Sequence, residues 1–250
     1  KIVPIRGDEV KIGTQLPIMM KHPNMKYCDY LDLTKYLPKS EYIYGSEVEK
    51  ARQIKKLNND NGNRKWYKDY KDVEFILPYS RQDSLKDVLD GRKNKNGYKL
   101  NCIYTKNGNR GGDIPEKMEL DKLFGFVIGA HLAEGCVSDT QIHITNNDKL
   151  YLDKIQEFCD KYSIGYHYVN RIHKLSTIPN PEIIIHSVIL AKLFKNWCGH
   201  LAHNKKVPEF VFNANNEFVK GLLDGYFSGD GTINKKEFIS ATSVSRNLLE

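Results

Sequence analysis

The sequence has few of the features that mark secreted or membrane proteins. Its five cysteines are scattered and form no Cys-x-x-Cys pair, which argues against a disulfide framework or a cysteine-based zinc site. No apolar run reaches the roughly 18 residues that a transmembrane helix needs, and no secretory signal segment is present. These absences predict an intracellular protein, in the cytoplasm, nucleus or nucleoid, with no membrane partner.

The composition is that of a folded globular protein with a mild excess of positive charge. The 250 residues are 40% hydrophobic and 28% charged, enough for one large domain or two modest ones. Thirty-eight Lys and Arg against 31 acids give a net charge of +7, which weakly favours a polyanionic partner. Because the chain opens on Lys1 rather than Met, we expect it to be a piece of a longer protein.

A short helical pattern occurs twice, in residues 123–135 and 219–231. Shifting the first copy along the chain by a constant number of residues aligns it with the second, so the sequence contains an internal repeat. That offset pairs three positions: Gly125 with Gly221, Gly129 with Gly225, and Glu134 with Asp230.

The paired glycines predict a close contact between two helices. Small residues spaced four apart leave one helix face without side chains, so two backbones can approach each other. Glycine inside a helix costs ~1 kcal/mol relative to alanine. Matched glycines in both copies therefore indicate a helix–helix seam formed by Gly125, Gly129, Gly221 and Gly225.

The acid that ends each copy is the stronger functional indication. A carboxylate in the last helical turn opposes the helix dipole, and two carboxylates side by side repel each other. Divalent cations would relieve both penalties, so Glu134 and Asp230 are candidate metal ligands. The alternative is a helical repeat with incidental acids at exposed ends. Gly135 and Gly231 fit the left-handed position that often ends a helix.

The segment around the first copy reads α-β-β-α-β-β-α. We predict a helix over about 119–134, a strand at 141–145, and a helix over 149–162 with Leu150 in its apolar stripe. Strands at 166–175 and 182–187 and a helix from 189 to about 201 follow. The pattern restarts at Phe218, and its second copy is incomplete in this chain.

A basic segment precedes the first repeat. Residues 91–112 contain no acid, and Tyr98 and Tyr104 are interleaved with the positive charges. This composition fits an arm that lies along phosphates, although a solvated linker is an equal alternative. The basic residues are Arg92, Lys93, Lys95, Lys99, Lys106 and Arg110.

These motifs resemble the two-motif LAGLIDADG homing endonucleases, specifically those inserted inside inteins. The resemblance implies an α+β fold with two saddle-shaped antiparallel sheets that grip a long site in double-stranded DNA, in a pseudo-symmetric monomer. It implies a hydrolase that cuts both strands with Mg²⁺ or Mn²⁺ held by Glu134 and Asp230.

The resemblance also extends to a lysine and to the sheet surface. Such proteins carry a Lys-x-Ile-Pro before the second motif, and Lys205-Lys206-Val207-Pro208 matches it, so Lys205 is the implied catalytic lysine, with Lys206 as the alternative. Five residues on predicted strands are expected to face DNA: Gln141, His143, Arg171, His173 and Lys174.

The same resemblance divides the chain into four parts. Residues 1–20 are similar to the end of an intein N-terminal splicing (Hint) block, with Thr14 in place of the usual aspartate, and the host exteins are the implied partners in cis. Residues 21–114 are an insertion or linker, 115–216 the first repeat, and 217–250 the start of the second. Two other functions remain open: a non-cleaving regulator or maturase of the same fold, and a splicing intein whose endonuclease has decayed.

Overall fold

The computed structural model describes residues 27–38, 41–46, 101–105, 111–171, 180–233 and 239–249. The helices are α1 (Lys122–Glu134), α2 (Lys149–Lys161), α3 (Val188–Cys198), α4 (Asn216–Asp230) and α5 (Arg246–Leu249). The strands are β1 (Tyr30–Asp32), β2 (Tyr42–Tyr44), β3 (Ile103–Thr105), β4 (Lys117–Glu119), β5 (Gly135–Val137), β6 (Gln141–Thr145), β7 (Gly165–Arg171), β8 (Asn180–His186), β9 (Gly231–Ile233) and β10 (Ile239–Ala241).

The order of elements confirms the predicted α-β-β-α-β-β-α unit, which runs from α1 to α3. After it, α4, β9, β10 and α5 repeat the first part of the same order. Helices and antiparallel sheets alternate in this way through an α+β fold, as the sequence predicted.

The four main helices begin at residues whose side chains accept a hydrogen bond from the first turn. Asp121 accepts from the Phe124 amide at 2.7 Å, and Asn215 accepts from the Phe218 amide at 2.9 Å. Asp148 and Ser187 cap α2 and α3 in the same way. Such caps satisfy amides that have no partner within the helix.

The four-stranded sheet has the order β5-β6-β8-β7, with all pairs antiparallel. On β6, Ile142 and Ile144 are fully buried, whereas Gln141 and His143 on the other face are partly exposed. The alternation puts one sheet face on the core and leaves the other to solvent.

Helix α1 lies at the centre of the core, because its residues from Phe124 to Leu132 are all buried. Helix α4 buries only one face, through Phe218, Gly221, Leu222 and Gly225. The paired strands β1–β4 and β2–β3 come from the chain before α1, and their apolar residues join the same core.

Three local predictions were wrong. The first helix begins at Lys122 rather than near 119, because residues 117–119 form β4 and pair with β1. Leu150 is 72% exposed, since the buried stripe of α2 runs through its neighbours Tyr151 and Leu152 instead. Gly135 and Gly231 end the motif helices in extended conformation (φ −91° and −81°), because strands β5 and β9 start at these residues.

A membrane-crossing helix is absent from the described part of the chain, where none is both long and apolar enough.

Candidate active site at the paired helix ends

Helices α1 and α4 are in direct backbone contact at their glycines. A Cβ atom added at any of four glycines would lie 2.0–2.2 Å from a carbonyl oxygen of the other helix, far inside van der Waals distance. The oxygens belong to Phe218 (facing Gly125), Leu222 (facing Gly129), Lys122 (facing Gly221) and Phe126 (facing Gly225). Only glycine leaves room for this approach.

The close contact continues to the last turns, where the two acids lie. A Cβ at Gly229 would lie 2.6 Å from the Ala133 Cβ and 3.1 Å from the Glu134 Cγ. Glu134 is the last residue of α1, and Asp230 is the last residue of α4. The Glu134 side chain reaches solvent, and Asp230 is partly exposed. The seam therefore brings the two helix ends, each with its carboxylate, to one place.

Both acids are in an environment that disfavours negative charge. Partial burial raises the pKa of Glu134, and the nearby charge of Asp230 raises it further. Burial also raises the pKa of Asp230. The Lys205 ammonium acts in the opposite direction on both pKa values. The two carboxylates and the lysine thus form one electrostatic cluster with more negative than positive charge.

Lys205 is held against the end of α1. Its Nζ donates to the carbonyl oxygens of Leu132 at 2.8 Å and Ala133 at 3.1 Å. These carbonyls belong to the last turn of the helix, where a cation is favourable. Burial lowers the pKa of Lys205, while Asp230 and Glu134 oppose that shift. Lys206, the alternative, is exposed, and its backbone amide donates to the Cys198 carbonyl.

The carboxylate pair fits Mg²⁺ or Mn²⁺. The described residues contain no group of three or more His, Cys, Asp or Glu side chains arranged for a metal ion. The protein would therefore offer two carboxylates, and Mg²⁺ usually takes one or two from the protein and completes its shell with water and phosphate oxygens. The raised pKa of each acid is what an added cation would reverse.

A buried histidine lies one turn before Glu134. His131 is 1% exposed, its ring meets Phe194 edge to face, and its Nδ1 has no hydrogen-bond partner among the described residues. Burial, followed by the Lys205 charge, lowers its pKa to about 3, so the ring is neutral at ordinary pH. His131 was not among the predicted site residues, although a histidine inside an apolar helical motif is visible in the sequence.

Helix α2 contacts both motif helices, α1 and α4. The buried Tyr151 hydroxyl donates to the Gly225 carbonyl at 3.0 Å. Lys154 pairs with Asp224 at 2.9 Å and lies 4.2 Å from the centre of the Phe126 ring. These contacts cross between segments far apart in the sequence, and no short motif marks them.

Comparisons with known proteins identify the second repeat. Residues 217–250 match the family model of the LAGLIDADG-like domain. The chain contains a LAGLIDADG-like domain. The match includes α4 and Asp230, and α1 with Glu134 lies outside it.

Three longer proteins resemble the chain over most of its length. It is 31% identical over 251 residues to the DNA-directed RNA polymerase subunit Rpo1C of Methanocaldococcus jannaschii, covering 100% of the chain and 22% of that protein. It is 22% identical to a DNA polymerase of Thermococcus hydrothermalis (76% of the chain, 10% of that protein) and 22% identical to the ribonucleoside-diphosphate reductase NrdEB subunit alpha of Bacillus subtilis (84% and 23%). The chain spans less than a quarter of each.

The remaining predicted residues were assigned to the sheet strands and to the basic segment. Gln141 and His143 are on the solvent face of β6, and Arg171 is the last residue of β7. In the sheet, His143 pairs with Glu182 at 2.9 Å. Six predicted DNA-binding residues lie outside the described residues: His173, Lys174, Arg92, Lys93, Lys95 and Lys99.

Proposed function

We propose that the chain is the endonuclease part of an intein, a homing enzyme that cuts both strands of DNA at a specific long site in its host gene. One observation carries the proposal: α1 and α4 meet at their glycines and bring Glu134 and Asp230 together beside Lys205. A carboxylate pair with an adjacent cation suits phosphodiester hydrolysis better than it suits a structural role, because every pKa in the cluster is shifted against its charge.

The residues have separate parts in the proposed reaction. Glu134 and Asp230 would hold the divalent cations, which when bound supply an activated water and stabilise the departing 3′ oxygen. Lys205 donates hydrogen bonds from a half-buried position, so it would offset negative charge that develops on the phosphate. The solvent face of the β5–β8 sheet would read base edges in the major groove.

The intein setting is supported by the relatives as a group. Their names describe three unrelated enzymes: an RNA polymerase subunit, a DNA polymerase and a ribonucleotide reductase. A segment shared by such different proteins is a module that moves between hosts rather than part of their named activities. We propose that residues 1–20 end the splicing block, that 21–114 are the insertion, and that the host exteins and chromosomal DNA inside the cell are the partners.

The test of cleavage uses the complete protein and the uninterrupted coding sequence of its host gene as substrate. Glu134→Gln and Asp230→Asn should each abolish Mg²⁺-dependent double-strand cleavage and preserve binding. Glu217→Gln, which removes an exposed carboxylate at the other end of α4, should leave cleavage unchanged. Persisting cleavage in the first two variants would overturn the assignment, and binding without cleavage by the wild type would favour the regulator or maturase.

The test of the intein setting is the reading frame on either side of the chain. A Cys or Ser that begins the splicing block upstream, together with a His-Asn that ends it downstream, is the expected result. An upstream and downstream frame without these residues would remove protein splicing from the proposal and leave the endonuclease to stand alone.

A further inference from the structure

A chain of hydrogen bonds crosses the solvent face of the four-stranded sheet. The Gln141 Nε2 on β6 lies 2.9 Å from the His186 Nδ1 on β8. The His186 Nε2 lies within hydrogen-bond distance of the His167 Nδ1 on β7. Gln141 and His186 are directly opposite in the sheet register. Three strands therefore contribute to one network, in which each member fixes the next.

The chemistry of these groups gives the network one polarity. An amide nitrogen can only donate, so the His186 Nδ1 accepts and its proton lies on Nε2. That Nε2 proton is donated to the His167 Nδ1, which holds His186 in this tautomer. In this orientation the Gln141 amide donates one Nε2 hydrogen to His186, and its Oε1 and second Nε2 hydrogen are left for an external partner.

The surroundings leave room for such a partner. Gly165 on β7 lies opposite His186, and a Cβ at Gly165 would have no atom of a described residue within 4 Å. Gly165 thus leaves a gap in the sheet surface beside His186, on the side of that ring away from Gln141. Both Gln141 and His186 are partly exposed, and His167 is exposed.

We propose that Gln141 is a base-reading residue for adenine, with its amide orientation fixed by His186 and His167. Adenine presents N7 as an acceptor and its N6 amino group as a donor in the major groove, and a glutamine amide matches this pair with one donor and one acceptor. An amide held in one orientation distinguishes this order of acceptor and donor on the base edge from the reverse order, whereas a freely turning amide can bind either order. The inference rests on the proposed binding of duplex DNA.

The network also predicts a dependence on pH. Protonated His186 donates from both ring nitrogens, so the Gln141 amide must turn its Oε1 toward the ring and present its nitrogen outward. Partial burial lowers the pKa of His186 below its ordinary 6.5, and His167 and His143 lower it further. On the same strand, the Glu182 carboxylate is engaged by His143. Adenine reading should therefore hold at neutral pH and fade below pH 6.5.

The test is selection from a pool of random duplex DNA by the complete protein at pH 7.5 and at pH 5.5, followed by sequencing. At pH 7.5 we expect one position of the selected site to prefer adenine about tenfold, the size of a good bidentate contact. His186→Phe and Gln141→Ala should reduce that preference to threefold or less and leave the other positions unchanged. Between pH 7.5 and pH 5.5 the wild-type preference should fall toward the same level as His186 becomes protonated, and that of His186→Phe should not change with pH.

The control is His200→Phe, which removes an exposed histidine outside the network. Its selected site should match that of the wild type. A selected site that is identical in the wild type, His186→Phe and Gln141→Ala would overturn the adenine-reading role alone. Selection of no sequence by any form of the protein would overturn the proposed DNA binding and this inference with it.

Discussion

At the scale of single residues, the site contains charges that the fold does not neutralise. Glu134 and Asp230 have raised pKa values and Lys205 a lowered one, each chiefly through burial. An enzyme that must bind cations and phosphate needs such unsatisfied charge, and the folded state is less stable for it. A substitution that removes one of these charges should therefore lower activity and raise the stability measured without metal.

Neutralising one acid should stabilise the metal-free protein. A raised carboxyl pKa contributes stability below the ordinary value, and this contribution is lost as pH rises through the folded value. At pH 7 Glu134→Gln should therefore raise the melting temperature in the presence of EDTA. The wild type should gain about 2.7 kcal/mol from Mg²⁺ at a hundred times its Kd, and Glu134→Gln should lose that gain.

Glu217→Gln supplies the matched control for this measurement. Glu217 is exposed on α4, and its hydrogen bond with Lys220 lowers its pKa. Neutralising it should not raise the melting temperature and should preserve the response to Mg²⁺. If Glu134→Gln were less stable than the wild type in EDTA, the inference that the Glu134 charge destabilises the metal-free protein would be refuted.

His131 should make the protein sensitive to acid. Its lowered pKa means that its contribution to stability is complete above pH 6.5 and is lost as pH falls toward about 3. The loss should be about 1.4 kcal/mol per pH unit in that range. His131→Phe introduces the residue found at the matching position of the second repeat, Phe227. Urea unfolding between pH 4 and 7 should show a shallower pH dependence for this variant, and an unchanged slope would contradict the assignment.

At the scale of elements, the helix seam followed from the sequence because glycine spacing is a local property. The paired glycines and acids are visible as soon as the two copies are aligned, and the caps Asp121 and Asn215 obey the same local rules. The ends of the motif helices did not follow. Each helix passes directly into a strand, so Gly135 is extended, and a Cβ there would lie 2.6 Å from the His131 Cα. The direct passage from helix to strand depends on the pairing of β5 with β6, which is a tertiary feature.

The network on the sheet was predicted only in part, for a related reason. Alternation placed Gln141 and His143 on the solvent face of β6. Their partners His186 and Glu182 come from β8, and only the strand order β6-β8-β7 brings them together. Strand order depends on long-range pairing, which residue patterns within one strand do not contain.

The seam can be tested by a single methyl group. In Gly225→Ala the new Cβ would lie 2.2 Å from the Phe126 carbonyl oxygen, so the backbones of α1 and α4 must separate. Alanine adds ~1 kcal/mol of helix propensity, and overpacking costs about 3 kcal/mol or more at so close a contact. Urea unfolding should show a net loss of at least about 2 kcal/mol. Gly165→Ala, at an open position, should change stability by less than about 0.5 kcal/mol.

At the scale of the whole molecule, the proposed base-contacting residues and the most basic segment belong to different parts of the chain. The solvent face of the sheet carries Gln141, His143, His167 and His186, side chains without a permanent positive charge, which suit the proposed base contacts better than phosphate contacts. The positive charge is concentrated elsewhere, and residues 91–112 are the most one-sided basic segment. Tyr104 within this segment is not available to DNA as predicted, because it is fully buried in β3. Selectivity and affinity should then depend on different regions and be separable by mutation.

That separation gives a prediction about salt. Each phosphate contact adds about 0.9 to the slope of log affinity against log salt concentration. If the four basic residues of the arm all contact phosphates, replacing Arg92, Lys93, Lys95 and Lys99 with Gln should reduce the slope by about 3 to 4 and leave the selected sequence unchanged.

The control for this prediction removes the same number of charges from the helix surfaces, by Lys149→Gln, Lys192→Gln, Lys195→Gln and Lys220→Gln in one protein. Three of these lysines form surface ion pairs, with Asp153, Asp139 and Glu217. If the arm binds along the DNA backbone, the control should change the slope much less than the arm variant, because three of its four charges are already paired. Equal changes in the two proteins would mean that only net charge matters, and the arm would then be a solvated linker.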